Sequence, residues 1–306
     1  MWVLHLDMIA AEAVGALRNA GIASILLKGP ALARWLYDDV AERPYVDVDL
    51  LVPASRMAGA EDALTGIGLR RAGLESIKDD WPRHAVVFRT DEGAAVDLHR
   101  TLMGVGVEDD RLWAALSSRT QQMSVAGTML DVLVPSARAL VVVLHAAKDG
   151  RRVAKTRTDL ERCLSRVEIE MWPEVAELAS DMQAKPAFEA GLRLVPAGEA
   201  LADRLGLSGG VPVDVAIRAT GAPPLAVGME WLLTSRGVRG KIGLVFRKLF
   251  PPAEYLREWK PLARKGTWGL ALAYVWRPIW VAAHVFPAMV AVVRAHRAAT
   301  RSAPPP

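Results

Sequence analysis

Asp47 and Asp49 stand one residue apart in Val46-Asp47-Val48-Asp49-Leu50, a stretch in which apolar and charged residues alternate. A period of two is strand periodicity, so both carboxylates leave one face while Val46, Val48 and Leu50 turn toward a core. At a separation of about 7 Å and an effective dielectric near 20, their repulsion is roughly 2 kcal/mol. One or two divalent cations would offset it, and hard oxygen ligands suit Mg²⁺ or Mn²⁺. Asp97, in Ala95-Val96-Asp97-Leu98-His99, has the same apolar-flanked setting. A third acid at the same depth would complete a two-metal cradle for phosphoryl transfer. An Asp-x-Asp on a half-exposed strand is also commonly a solvated face, so the neighbours decide.

Lys28-Gly29-Pro30 follows a short apolar run, Ile22 to Leu27, and opens a predicted helix, Ala31 to Tyr37. A strand-to-helix turn of this kind favours a phosphate, with Lys28 as a point charge; a plain turn is the alternative. Arg43, four residues ahead of Asp47, meets either a nucleotide phosphate or one of its neighbours Asp39 and Glu42. His99 shares the face of Asp97 and touches the metal shell or the nucleotide, or serves as a hydrogen-bonded structural histidine. His145 and Lys148 lie three apart on one helical face, with Lys155 and Arg157 soon after. They reach phosphates or the acceptor, or form a solvated patch at a helix C-terminus. Asp159 orders one of these cations or caps a helix, and Cys163, beside Leu160 and Leu164, reads as inert packing.

The elements that must hold these residues follow from periodicity. Residues 6–20 predict a helix stopped by Gly21, Tyr45 to Val52 a strand, and Ser55 to Gly66 a surface helix capped by Ser55. His84 to Thr90 and Ala94 to His99 flank Asp91-Glu92-Gly93 as a hairpin. Helices follow over 136–148, 158–167 and 172–182, a Gly/Pro-rich linker over Gly206 to Gly228, and a disordered end at Pro304 to Pro306. The class is α+β: a small mixed or antiparallel sheet with flanking helices, then a mostly helical part. The expected domains are residues 1–130 (catalytic), 131–235 (helical) and 236–306 (a basic, aromatic-rich helical tail).

The ordered set Leu26-Leu27-Lys28-Gly29, Leu36-Tyr37, Arg43-Pro44, Asp47-Val48-Asp49-Leu50-Leu51-Val52 and Val96-Asp97-Leu98-His99 resembles the uncharacterised nucleotidyltransferase family of the polymerase-beta-like superfamily. The likeness covers residues 20–165, taking in His145-Ala146-Ala147-Lys148 and Asp159-Leu160-Glu161-Arg162, and continues more weakly to Pro252. It implies two Mg²⁺ held by Asp47, Asp49 and Asp97, and transfer of a nucleoside monophosphate from an NTP with release of pyrophosphate; Lys28, Gly29, Arg43 and His99 are the residues expected to contact the nucleotide there. Asp97 would bind the catalytic metal and act on the acceptor hydroxyl. Pro30 departs from the wider superfamily, which has serine after the loop glycine, so Lys28 and the backbone must do the phosphate work. The acceptor, a small molecule, peptide or protein, is not inherited from the family.

Composition narrows the rest. The chain has 306 residues, 52% hydrophobic and 24% charged, which excludes disorder for most of it. Its single cysteine excludes an internal disulfide, a Cys-based zinc site and an iron-sulfur cluster, and suits a reducing cytoplasm. The N-terminus lacks the basic region of a signal peptide. The net charge of +4 is segregated: from Ser235 onward there are 13 Lys/Arg against Glu254 and Glu258. Aromatics interleave with these cations from Phe246 to Trp268, and Trp268 to Val293 is apolar but broken by Arg277-Pro278, His284 and Pro287. That run is expected to be buried or interfacial, not spanning. Residues 236–300 are expected to dock at an anionic membrane surface or a protein partner, nucleic acid being the weaker reading because the stretch is so apolar. The leading function is a Mg²⁺-dependent nucleotidyltransferase, cytoplasmic and peripheral at the membrane. The alternatives are a toxin-like transferase acting on tRNA or protein, or a non-catalytic scaffold.

Overall fold

The computed structural model describes residues 2–72, 85–208 and 238–301, with 215–217, 225–226 and 228–229 between the last two stretches. The described residues form two compact units, one up to residue 208 and one beyond it. In the first, strands β1 (Ile25–Leu26), β2 (Asp47–Leu51), β3 (Arg70–Arg71), β4 (Ala85–Arg89), β5 (Ala95–His99), β6 (Thr120–Val125) and β7 (Thr128–Leu133) make one sheet in the order β3-β4-β5-β2-β1-β7-β6. β2 pairs with β5, and β1 with β7, in parallel; the other neighbours are antiparallel. The sheet is therefore mixed and continues past residue 130.

One face of this sheet is covered by α1 (Trp2–Asn19). Leu6, Ala10, Ala13 and Leu17 recur at helical spacing and are fully buried in one cluster with Val48, Leu50, Val96 and Leu98. Each fully buried leucine contributes roughly 1.5–3 kcal/mol, and the alternation of β2 and β5 turns Asp47, Asp49 and Asp97 to the opposite face. Val46 does not join the core: it is 65% exposed, because β2 begins only at Asp47.

Helices α2 (Pro30–Leu36) and α3 (Met57–Gly66) connect the first strands. Ser55 does not cap α3; a 3-10 turn, Ala54–Arg56, leads into the helix, and the cap position is Arg56. The β4–β5 hairpin forms where the sequence places it. The β6–β7 hairpin and helix α4 (Asp109–Ser117) are additional elements. The remaining helices of the unit are α5 (Pro135–Asp149), α6 (Ala154–Arg166), α7 (Trp172–Asp181), α8 (Lys185–Leu192) and α9 (Pro196–Arg204). α5 is buried on nearly all sides. A Cβ at Gly191 of α8 would lie 2.3 Å from the Val143 carbonyl, so that glycine sets the closeness of the α5–α8 crossing.

The second unit contains α10 (Val238–Leu249), α11 (Ala253–Trp259) and α12 (Gly266–Arg301). α12 runs through both Pro278 and Pro287, each proline forfeiting one backbone hydrogen bond without ending the helix. By length and composition Gly266–Arg297 is apolar enough to cross a membrane, and only 17% of its apolar stretch is buried, so of the two expectations, buried or interfacial, the helix does not meet the first. Pro304 to Pro306, and most of the stretch from Gly206 to Gly228, lie outside the described residues.

Candidate active site

The register of the parallel β2–β5 pair sets the site: Asp49 lies beside Asp97, Asp47 beside Ala95, and Leu51 beside His99. Partners in a parallel ladder project to the same side, so the three acids and His99 share one face. Ligand atoms of Asp49, Asp97 and His99 all lie within 4.8 Å of one another. Asp47, one step toward the start of β2, is partly buried and stands outside this close group.

Asp49 is almost solvent-free, and its Oδ1 accepts from Lys28 Nζ at 2.6 Å. The same oxygen lies 2.9 Å from His99 Nε2, and since an ionised carboxylate only accepts, that nitrogen carries the proton. Burial pushes the Asp49 carboxyl up, but the Lys28 charge and the His99 hydrogen bond outweigh it and hold the group well below the usual carboxylate range. Burial lowers Lys28, and the surrounding acids, Asp49 foremost, reverse that and keep it charged. Asp47 is pushed up by burial and by the charge of Asp49. Burial also holds the imidazole of His99 below its ordinary value, against the pull of Asp49. The alternation of β5 is the signal that places His99 with the acids.

Gly29 adopts φ +58° and ψ −117°, and a Cβ there would stand 3.0 Å from the Asp47 carbonyl. Only glycine takes this turn without strain, and the close approach to β2 is what brings Lys28 against Asp49. Arg43 lies below the same turn. Its Nη1 donates to the Gly29 carbonyl at 3.3 Å, while Nε and Nη2 donate to the two carboxylate oxygens of Asp159, each at 2.8 Å. Tyr37 Oη donates to Asp159 at 2.7 Å. Arg43 thus meets a carboxylate, neither Asp39 nor Glu42 but Asp159 of α6, and its guanidinium is spent on holding the turn. Glu42 pairs instead with Arg162 at 2.7 Å. Burial pushes the Cys163 thiol up to about 12, which fits a packing role.

A cavity opens beside the acids, lined by Lys28, His99, His145 and Lys148 on its polar side and by Leu102, Met103 and Leu144 on its apolar side. α5 delivers His145 and Lys148 from its last turn. Burial, and the neighbouring charges of Lys28 and Lys148, hold His145 well below its ordinary value. Lys148 is lowered by burial and by Lys28. Lys155 sits apart from this wall, donating to the Pro44 carbonyl.

A cluster of two carboxylates and an imidazole, faced by lysines, suits a polyanion carried with a metal. The model of a family described as uncharacterised nucleotidyltransferases matches residues 5–197, more than half of the chain. The chain belongs to that family. No curated protein matches this nucleotidyltransferase family member. Among solved structures it is similar to the antibiotic-resistance factor ANT(2'')-Ia, at 13% identity and a TM-score of 0.43 over 59% of this chain and 94% of that one. It is also similar to the lincosamide antibiotic adenylyltransferase LnuA, at 12% identity and a TM-score of 0.35 over 50% and 93%. An antigenic nucleotidyltransferase-like protein from Paracoccidioides brasiliensis matches at 16% identity and a TM-score of 0.36 over 62% and 92%. Family membership implies an NTP substrate and a divalent metal, and Asp49 and Asp97, with His99 beside them, form a group that could hold one.

Proposed function

We propose that the protein transfers a nucleoside monophosphate from an NTP to a hydroxyl-bearing acceptor, releasing pyrophosphate. The observation that carries this reading is the Asp49, Asp97 and His99 group beside a cavity lined by Lys28 and Lys148. Asp49 and Asp97, with Asp47 at the rim, would hold Mg²⁺ or Mn²⁺, which when bound neutralises phosphate charge and polarises the reacting oxygens.

In the reaction the acceptor oxygen bonds to the α-phosphorus, the bond from that phosphorus to the bridging oxygen breaks, and pyrophosphate leaves with the electron pair. The acceptor proton goes to a carboxylate oxygen of Asp97, which faces the same side as Asp49. Lys28 and Lys148 would bind phosphate oxygens, Lys28 turning to them from its ion pair with Asp49. Arg43 acts through Asp159 and the Gly29 carbonyl, holding the turn that presents Lys28. The apolar wall of Leu102, Met103 and Leu144 excludes water from one side of the phosphates.

Thermal unfolding with each of the four ribonucleoside triphosphates, with and without Mg²⁺, tests the reading. Ligand at 100 times its dissociation constant adds roughly 2.7 kcal/mol, a shift of a few degrees. A shift that needs Mg²⁺ and vanishes in Asp49→Asn supports the transferase. Absence of a shift with every triphosphate overturns it.

A further inference from the structure

The exposed face of α12 carries Trp268, Leu272, Val275, Ile279, Ala282, Phe286, Met289 and Val293, spaced alternately by four and three residues. This is the spacing of a single stripe along a helix. The stripe lies in the open: Trp268 is 83% exposed, Phe286 68% and Val275 65%. The opposite face packs within its own unit, where Ala273 joins Leu256 and Ala263, and Ala288, Val292 and Ala295 join Ile217 and Ala226. Between Gly266 and Val293 the one Asp, Glu, Lys or Arg is Arg277. It faces backward, its guanidinium over the rings of Trp259, Trp280 and Tyr255 and its Nε donating to the Lys248 carbonyl.

Charge brackets the stripe at both ends. Arg257, Arg264 and Lys265 are exposed ahead of it, and Arg294 and Arg297 after it. α10 adds a second exposed apolar patch of Ile242, Val245 and Phe246. We propose that the second unit docks on an anionic lipid bilayer, α12 lying in the plane of the interface with this stripe among the acyl chains and the flanking cations on headgroup phosphates.

Two observations choose lipid over a partner helix and the surface over the interior. The positions bordering the stripe, Ala271, Trp276, Ala283 and Val285, offer none of the paired charges that flank a helical seam in water. The back of the helix at its midpoint carries α11, with Glu254 and Arg257, and the Lys260 ammonium 4.7 Å from the Trp276 ring. A spanning helix would draw these charges to bilayer depth.

Flotation of the full chain with phosphatidylcholine vesicles, with or without about a third phosphatidylglycerol, tests this. The expected result is flotation with the anionic vesicles alone, several-fold weaker at about 0.5 M salt than at 0.1 M, and lost in Leu272→Glu/Ile279→Glu/Phe286→Glu. These side chains are solvent-facing, and circular dichroism checks that the variant stays folded. Failure to float with either vesicle overturns the proposal, as does unchanged flotation of the folded variant. A full chain that is a dimer in solution, and that the triple substitution turns into a monomer, would assign the stripe to a second copy instead.

Discussion

At the scale of single residues, the site turns on how Asp49 is neutralised. Lys28 does this at 2.6 Å from a carboxylate that is all but solvent-free. Lys28→Met should therefore leave a buried carboxylate with its counter-charge gone and the His99 N–H still bonded to it, and cost about 3 kcal/mol of stability. Millimolar Mg²⁺ should return part of that loss, and should stabilise the variant more than it stabilises the wild type, as urea unfolding with and without the ion would read. His145 supplies a pH dependence of definite sign. Its folded value is depressed, so it contributes stability that is present above the ordinary histidine range near 6.5 and is lost as pH falls through and below it. Urea unfolding at a series of pH values from 7.5 down to about 5 should show a shallower acid decline in His145→Gln. Much of this residue chemistry was legible in the sequence. Strict alternation marks which side chains of one strand share a face, so Asp47 with Asp49, and Asp97 with His99, could be paired before any fold was known; that the acids meet was what the family resemblance implied. That Lys28 would lie directly on Asp49, and that Asp47 would fall outside the tight cluster, depends on the path of the Gly29 turn and the β2–β5 register, which alternation does not encode.

At the scale of elements, the head and its helices are joined by a buried ion pair. Arg43 precedes β2, Asp159 sits on α6, and the two meet through both carboxylate oxygens although 116 residues separate them. Arg43→Ala should cost about 3–5 kcal/mol, since it leaves the buried Asp159 without its counter-charge and with the Tyr37 hydroxyl as its remaining side-chain donor among the described residues. Arg43→Met combined with Asp159→Leu should cost markedly less, and the difference is measurable as the coupling energy of a double-mutant cycle in urea. Nothing local announces such a contact: Asp39 and Glu42 were the nearer candidates in sequence, and only the fold brings α6 beneath the turn. The β6–β7 hairpin escaped the sequence reading for a different reason. β6 is mostly polar and solvent-facing at Gln121, Gln122 and Ser124, so it lacks an apolar stripe. Its turn places Ala126 at φ 48° and Gly127 at φ 76°, a two-residue turn of positive φ whose first position is alanine in place of the usual asparagine or aspartate. The helix α4 did carry a signal, with Asp109 and Asp110 in its first turn and Leu112 and Leu116 buried one turn apart.

At the scale of the whole molecule, the chain divides into a unit that carries the acids, the lysines and the cavity, and a second, basic unit built around a long apolar helix. Among the described residues the family match falls on the first, ending at residue 197. A chain ending at Ser208 should unfold in a single cooperative transition and keep the Mg²⁺-dependent stabilisation by nucleotide, as parallel thermal scans of the two lengths would report. The excess of Lys and Arg from Ser235 onward is plain in the sequence; that Pro278 and Pro287 would sit inside one continuous helix is not. The proposed transfer requires the acids of β2 and β5 to gather a divalent ion and a nucleoside triphosphate in the same place. Electron paramagnetic resonance of Mn²⁺ titrated into the full chain, with a non-hydrolysable triphosphate present, measures this directly. Bound Mn²⁺ in the wild type, enhanced by the nucleotide and lost in Asp97→Asn, is the predicted result. Mn²⁺ binding that is absent from the wild type, or unchanged in Asp97→Asn, would contradict it.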